Sequence, residues 1–481
     1  MENIDYKELG LKIGLEIHRQ IDTDKLFCRC RSTLTEDKPD FLIERILRPI
    51  ISELGEKDIA AEYELSKGKF AVYEGHYSNT CELEIDESPP LGINKDALNA
   101  VLQISKMINA HILNVTEVMR KQVLDYSNTS GFQRTILIGM DGSVIINGDD
   151  IKIDTIILEE DAARKIDETE NNVRYRLDRL GTSMIEIATA PDIKTPEQAK
   201  EVAGFLGMIL KSTGKFKSGI GTIRQDINLS IKNGARIELK GVQDLRHIPK
   251  IIENEIERQL SLMKQGKKIE PGVRKINPDL TRTYLRPLPG ASRIYPETDL
   301  PIILITNEQI DKIKIPELIK DKSERLESEY SLSNELANAL IKENKSDLFQ
   351  DYANKYKNLT HGLIAHILVE IPKEISAKFD INAYVDDKTF ESIIESLNSG
   401  KISRNSIIDI ILDFVKNKKL DLEKYAVIDT KDLEKEIVSV IEQNKGLPFG
   451  ALMGIIMSKF KNKVDGKTAS EIIKKYKTNE I

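Results

Sequence analysis

The chain has 481 residues, of which 40% are hydrophobic and 31% charged, with a net charge of −7 at pH 7. This composition reads as a soluble globular protein of two to four domains and argues against a uniformly basic coat for nucleic acid. No apolar run approaches the roughly 18–20 residues that cross a bilayer, and three cysteines make no disulfide framework. The start, Met1 to Tyr6, lacks the basic and apolar regions of a signal peptide, so the expected location is the cytoplasm.

In chain order, Lys12-Ile-Gly-Leu-Glu-Ile-His18 reads as a strand with Glu16 and His18 on one face. An amphipathic helix is expected over 95–110. Short β-branched runs follow at 135–138, 143–146 and 155–158. They are separated by Asp141-Gly142 and Asn147-Gly148, which read as hairpin turns and hence antiparallel strands. The run at 155–158 ends in Glu159-Glu160-Asp161. Strand alternation sends Glu159 and Asp161 to one side and Glu160 to the other. A helix at 195–213 opens with Pro196 in its first turn. Strands at 227–231 and 236–239 flank Asn233-Gly234, and a further helix covers 248–264. Strands interleaved with such helices give an α+β fold built on an antiparallel sheet. The Pro-rich stretch 287–301 ends this region. After it helices dominate, at 308–314, 316–330, 333–344, 347–356, 363–370, 387–399, 404–418 and 430–443. The expected domains are 1–301, 302–429 and 430–481. From Lys445 to Ile481 eight Lys stand against Asp465, Glu471 and Glu480, a basic tail suited to a phosphate backbone or simply to water.

One acidic triplet alone is more often a solvated turn. Here it has company. Glu16, His18, Glu186 and Asp226 lie on other strand-like pieces at period two, and together with Glu159 and Asp161 they suggest one divalent-metal site. Arg120, Lys121, Arg134, Arg224, Lys240 and Arg293 each read on their own as surface ion pairs. Cys28-Arg-Cys30, Cys81 and His76 are either four tetrahedral zinc ligands or three free thiols packed beside a histidine. No motif for a covalent nucleophile is present, so the chemistry rests on metal and charge.

Read in order, several segments resemble the GatB/GatE family, the kinase–transamidase subunits of tRNA-dependent amidotransferases. They are Gly14-Leu-Glu-Ile-His18, Met119-Arg-Lys121, Ser127 to Thr135, Leu158-Glu-Glu-Asp-Ala-Ala-Arg164, Ile185-Glu-Ile-Ala-Thr-Ala-Pro-Asp192, Gly221-Thr-Ile-Arg-Gln-Asp-Ile-Asn228 and Glu238-Leu-Lys240. Arg286 to Asp299 is closest to the archaeal GatE branch. The resemblance implies a cradle-like, glutamine-synthetase-like catalytic domain, then a helical domain and a YqeY-type tail that binds tRNA. It also implies ATP and Mg²⁺, phosphorylation of Glu-tRNA(Gln), and amidation by ammonia from a GatD-type glutaminase within a hetero-oligomer. On it, Glu16, His18, Glu159 and Glu186 take the catalytic and metal roles, with Asp161 and Asp226 as further ligands, and Arg120, Lys121, Arg134, Arg224, Lys240 and Arg293 meet the nucleotide's phosphates or the developing charge. Two departures stand out. Only residues 265–283 join the Glu238 and Arg286 regions, leaving no room for the inserted domain usual in GatE chains. Gly181-Thr-Ser-Met184 replaces the family's Gly-x-Pro-Leu, and losing a rigid Pro would loosen that turn. The competing readings are a tRNA-binding scaffold whose kinase site has decayed and a small-molecule carboxylate–amine ligase.

Overall fold

The computed structural model describes residues 5–477 apart from 49–50, 52–54, 56, 124, 220, 291–293, 428–429, 445 and 461–465. It divides into two compact units, Met1–Leu318 and Ile319–Ile481. The first unit therefore runs past 301. The strand Ile303–Leu304 pairs with Val115–Thr116, and Ile303, Ile310, Ile313 and Leu318 pack on the first unit's core.

That unit is built on an eleven-stranded sheet. Its strands run, edge to edge, Arg282–Arg286, Gly272–Ile276, Ile237–Val242, Ile223–Ser230, Lys12–Gln20, Ser183–Thr189, Asp149–Glu160, Phe132–Ile146, Met119–Gln122 and Ile294–Pro296, with His111–Ile112 beside Phe132–Ile146. Neighbours among these strands pair antiparallel, except for the parallel Ile237–Val242 and Gly272–Ile276. Alternation divides the sheet's chemistry between its faces. Ile13, Leu15, Ile17, Ile156, Leu158, Ile185, Ile187, Ile227 and Leu229 are fully buried in one core with the helices Lys95–Met107, Pro196–Ser212 and Ile248–Lys264. Each intervening residue faces the other way, so the opposite side of the same strands is polar. The helices begin where their caps allow. Asn94 accepts from the amides of Asp96 and Ala97, and Thr195 accepts from that of Gln198 ahead of Pro196 in the first turn.

Asn147-Gly148 does turn the chain, with φ of 52° and 90°. Asp141-Gly142 does not. One long strand, Phe132–Ile146, pairs along its length with Asp149–Glu160, with a register shift between Leu137 and Gly139. The glycines here serve packing. A Cβ on Gly142 would meet the Ile108 carbonyl oxygen at 3.1 Å, and one on Gly139 would meet Ser105 Oγ at 3.3 Å. The sheet passes close under the end of the Lys95 helix, and no side chain fits between them.

A four-stranded sheet, Phe41–Arg45, Phe70–Gly75, Asn172–Arg176 and Arg164–Glu168, forms a second layer around Tyr73, Tyr175 and Leu177. The second unit is helical and has two apolar cores. One collects residues from Leu326 to Tyr425, the other from Ile437 to Ile473. The helix expected to stop at Glu370 continues. His361–Ala365 leads through a π turn, His366–Glu370, into Ile371–Phe379. Pro372, lacking an N–H, sits in the first turn of the renewed helix, where that donor is not needed. Among the described residues no helix is long and apolar enough to cross a membrane.

The helices Thr430–Gln443, Phe449–Lys459 and Gly466–Lys477 share the last core through Ile437, Val440, Leu452, Ile456 and Ile473. A truncation after Gln443 would strip the partners of Ile437 and Val440. Deleting 430–481 as a unit is instead expected to leave the melting temperature of the remainder within about 3 °C, as differential scanning calorimetry would record.

Candidate active site

The polar face of the sheet collects its charged groups by register. Glu16 is opposite Asp226, His18 lies between Glu186 and Arg224, and Met184 is opposite Glu159. Cross-strand partners share a face, so all of these project away from the helices. Glu16, His18 and Glu186 bring donor atoms within 4.8 Å of one another. Glu16 also completes a second such trio with Asp226 and Glu238. His18 Nε2 lies 3.2 Å from Glu186 Oε2 and 3.9 Å from Glu159 Oε1. Asn228 donates to Glu16 Oε1 at 2.9 Å. Two ammonium groups sit among the acids. Lys121 Nζ is 2.7 Å from Glu159 and 3.7 Å from Glu186. Lys240 Nζ is 2.7 Å from Asp226 and 2.6 Å from Glu238.

Burial and neighbouring charge move these groups in different directions. Burial, and then the charges of Glu186 and Glu238, push the Glu16 carboxyl above its ordinary range. Burial alone would lower His18, but its hydrogen bond to Glu186 and the surrounding carboxylates raise it overall. Glu186 goes the other way. Its burial is outweighed by Lys121 and His18, which hold it well below the usual carboxylate range. Asp226 is likewise lowered against its burial, chiefly by Lys240, and Lys240 is raised against its own burial by Asp226 and Glu238. Carboxylates from four strands with one imidazole make a donor set that fits a hard divalent cation, with Glu16 common to both trios.

Asp161 lies past the end of its strand and is already saturated. It accepts from Gln20 at 2.7 Å, from Arg224 at 2.8 Å and from the Ala162 amide, with Arg179 3.7 Å away. The structure places it outside both trios, where it holds Arg224 instead of a metal. Arg120 and Arg134 lie apart from the two acidic trios. Arg134 neighbours Thr135, the partner of Glu159, and so points to the opposite face. There it pairs with Glu160 and Glu297 and lies over the Phe27 and Phe132 rings. Arg120 joins the same group through Glu297 and Asp299. Arg293 falls outside the described residues, as do Lys463 and Asp465 of the tail.

The three thiols do meet, but without His76. Cys28, Cys30 and Cys81 group with Glu84, donor atoms within 4.8 Å. His76 Nε2 instead faces the Asp37 carbonyl oxygen at 3.2 Å. Cys28 Sγ donates to Glu84 at 2.9 Å, and Glu84 also lies 3.3 Å from Lys25, whose side chain is fully buried. Hydrogen bonds among the thiols push Cys28 up and hold Cys81 well below the ordinary thiol range. Glu84, Glu238 and Glu297 are the functional or supporting acids that sequence reading missed. Glu238 had a signal, since it stands two residues before Lys240 on one strand face. Glu84 and Glu297 had none short of the fold.

The sequence matches the GatB/GatE catalytic domain over residues 11–311 and a GatB domain over residues 347–476. The chain belongs to the GatB/GatE family. Among its curated relatives, the GatE-type subunit of glutamyl-tRNA(Gln) amidotransferase from Methanocaldococcus jannaschii is 36% identical, with 99% of this chain and all of the relative covered. The corresponding proteins of Thermococcus gammatolerans and Saccharolobus solfataricus are 34% and 33% identical, over 98% and 100% of this chain and 99% and 100% of theirs. The first alignment spans 630 positions against this chain's 481 residues, so at least 149 positions have no counterpart here. The turn Gly181-Thr-Ser-Met184 is held by its own contacts. Gly181 has φ of 80°, Ser183 donates to the Asp24 carbonyl oxygen, and Met184 Sδ accepts from Arg224 at 3.2 Å.

Proposed function

We propose that this chain is the ATP-dependent kinase–transamidase subunit of a tRNA-dependent amidotransferase. It activates the side-chain carboxylate of glutamate misacylated onto tRNA(Gln) as an acyl phosphate. Ammonia from a GatD-type glutaminase partner then displaces phosphate to give Gln-tRNA(Gln). The observation that carries this reading is the polar face itself, carboxylates, imidazole and lysines gathered from separate strands of a GatB/GatE catalytic domain. A carboxylate is a poor acyl donor, and phosphorylation gives it a leaving group. That transfer asks a protein mainly for positioned positive charge.

Glu16, His18, Glu186, Asp226 and Glu238, with Glu159 beside them, are the residues that would hold Mg²⁺, which supplies charge neutralisation for ATP's phosphate oxygens. Lys121 and Lys240 rest on these acids and turn to phosphate when the acids take another cation. Arg224 is held ready by Asp161, whose charge raises its pKa. The basic tail and helical unit serve tRNA, within a hetero-oligomer. The test is the purified chain with a GatD-type partner, ATP, glutamine and Glu-tRNA(Gln). ATP cleavage stimulated by the charged tRNA supports the enzyme, and its absence leaves a scaffold.

Two predictions belong here. His18 is raised in the folded state, so its contribution to stability is fully present below the unfolded value near pH 6.5 and is lost as pH rises through the folded value. Metal binding needs the same proton gone. The affinity for Mg²⁺-ATP is therefore expected to climb as pH rises through neutrality, with proton release measurable by calorimetry in buffers of different ionisation enthalpy. Second, Cys28, Cys30, Cys81 and Glu84 are assigned to zinc, whose charge would settle the thiol hydrogen bonds now shared among them. Elemental analysis should find one zinc per chain, and Cys81→Ser should remove most of it.

A further inference from the structure

A second cluster of charge lies on the other side of the large sheet, at its outer edge. Arg274 pairs with Leu239, and Arg282 with Ile276, both of the helix-covered core. These two arginines therefore project toward the helix Ile248–Lys264 and away from the acidic trios. The helix meets them with Glu255, which is fully buried. Arg258 takes both Glu255 oxygens, at 2.9 and 2.6 Å, and Arg282 Nε lies 3.4 Å from the same carboxylate. Three partly buried guanidiniums thus share one buried carboxylate, which leaves two positive charges in excess.

The excess is not absorbed by the protein around it. Burial pulls Arg274 and Arg282 below the ordinary guanidinium range, and the charge of Arg258 adds to the effect. The Nε–H groups of both are buried with no hydrogen-bond partner among the described residues. Arg258 and Arg282 line a pocket of about 540 Å³, and Arg274, over the Tyr284 ring, adds its charge nearby. Asn254 and Ser261 give the pocket polar groups, and Leu262 and Leu280 give it an apolar wall. Its two other carboxylates, Glu257 and Asp279, are exposed, where water screens them. Asp279 is also taken by the Thr281 amide and hydroxyl, at 3.0 and 2.6 Å.

We propose that this pocket binds a small phosphate monoester, its dianionic group held by Arg258 and Arg282 and its organic body against Leu262 and Leu280. A phosphate monoester carries close to two negative charges at neutral pH and three acceptor oxygens, which match the excess of two and the donor forks of arginine. A carboxylate matches half of that charge. The pocket's volume is that of a small-molecule site, and the proposal does not depend on the reading of the acidic face.

Glycerol 3-phosphate, inorganic phosphate and acetate are titrated into the full-length chain at constant ionic strength. EDTA keeps the acidic face free of metal. Calorimetry and the melting temperature report binding. Glycerol 3-phosphate is expected to bind more tightly than inorganic phosphate and to raise the melting temperature, and acetate to do neither. Arg282→Gln is expected to weaken glycerol 3-phosphate about tenfold, and to melt no lower than the unaltered chain in phosphate-free buffer, because it removes one of the excess charges. Ser261→Glu, at an exposed position of the wall, keeps all three arginines and is expected to abolish binding by setting a carboxylate in front of them. Glu16→Gln, on the other side of the sheet, is expected to bind as the unaltered chain does. Absence of binding to the unaltered chain, acetate binding as well as the phosphates, or binding that survives both pocket variants overturns the proposal. Inorganic phosphate binding more tightly than the monoester assigns the pocket to the free ion and overturns it too. An RNA oligonucleotide without terminal phosphates is expected not to compete, and competition overturns the proposal by giving the pocket to an RNA backbone.

Discussion

Glu16→Gln is expected to lower tRNA-dependent ATP cleavage by on the order of 10²- to 10³-fold, the scale seen when one preorganised electrostatic contact to a transition state is removed. Glu16 is the one carboxylate common to both donor trios, so its loss weakens the hold on cations at both. The effect on folding has the opposite sign. Burial and the like charges of Glu186 and Glu238 make the ionised Glu16 unfavourable in the folded protein. A neutral amide of the same shape removes that repulsion. The variant should melt at the wild-type temperature or slightly above it in EDTA. Loss of activity with retained or improved stability is the signature of a site under electrostatic tension. A loss below tenfold would move the cation elsewhere.

Glu297→Gln should do the reverse, sparing the site and costing about 3–5 kcal/mol of stability, as when one partner of a buried ion pair is removed. The Glu297 side chain is fully buried. One of its oxygens takes Arg120 and the other takes Arg134 Nε at 2.9 Å. Arg134, 7% exposed, keeps only Glu160 at 3.5 Å and the faces of Phe27 and Phe132 once Glu297 is neutral. Two guanidiniums that had shared a full charge would then share a carbonyl oxygen. Urea denaturation of the full chain gives the stability. ATP cleavage by the folded protein at low temperature should stay within about threefold, because Arg120 and Arg134 face away from the acids. A large loss of activity with intact stability would return Arg134 to the phosphate-binding set.

Period-two alternation was enough to gather Glu16, His18, Glu186, Glu159 and Asp226, because each of them adjoins at least one buried Ile or Leu of the core face. Ile17 separates Glu16 from His18 in the same way that Leu158 precedes Glu159. Alternation failed where the side of the sheet depends on pairing. Nothing local says that Thr135 rather than Arg134 shares a face with Glu159; the register of Phe132–Ile146 against Asp149–Glu160 decides it. Alternation also places Asp161 correctly, since its partners Gln20 and Arg224 belong to the polar face, but there it binds those two side chains and joins neither donor trio. Asp141-Gly142 resembles a turn in composition, yet its glycine makes room for the end of a helix. Closeness in sequence to Cys81 draws His76 to the thiols, while Glu84 reaches them from three residues on the other side. The first unit's boundary slipped from 301 to 318 because a short strand and helix after the prolines still pack on the sheet's core.

The central claim is that the acidic face of the sheet is an ATP-dependent carboxylate-activating site for aminoacyl-tRNA. The most direct test follows ATP cleavage by the full-length chain with a glutaminase partner, comparing Glu-tRNA(Gln) with uncharged tRNA(Gln), for the unaltered protein and Glu16→Gln. Charged tRNA should stimulate cleavage severalfold over uncharged tRNA, and Glu16→Gln should abolish the stimulation without changing the melting temperature. Equal rates with charged and uncharged tRNA, or stimulation that survives in Glu16→Gln, would contradict it.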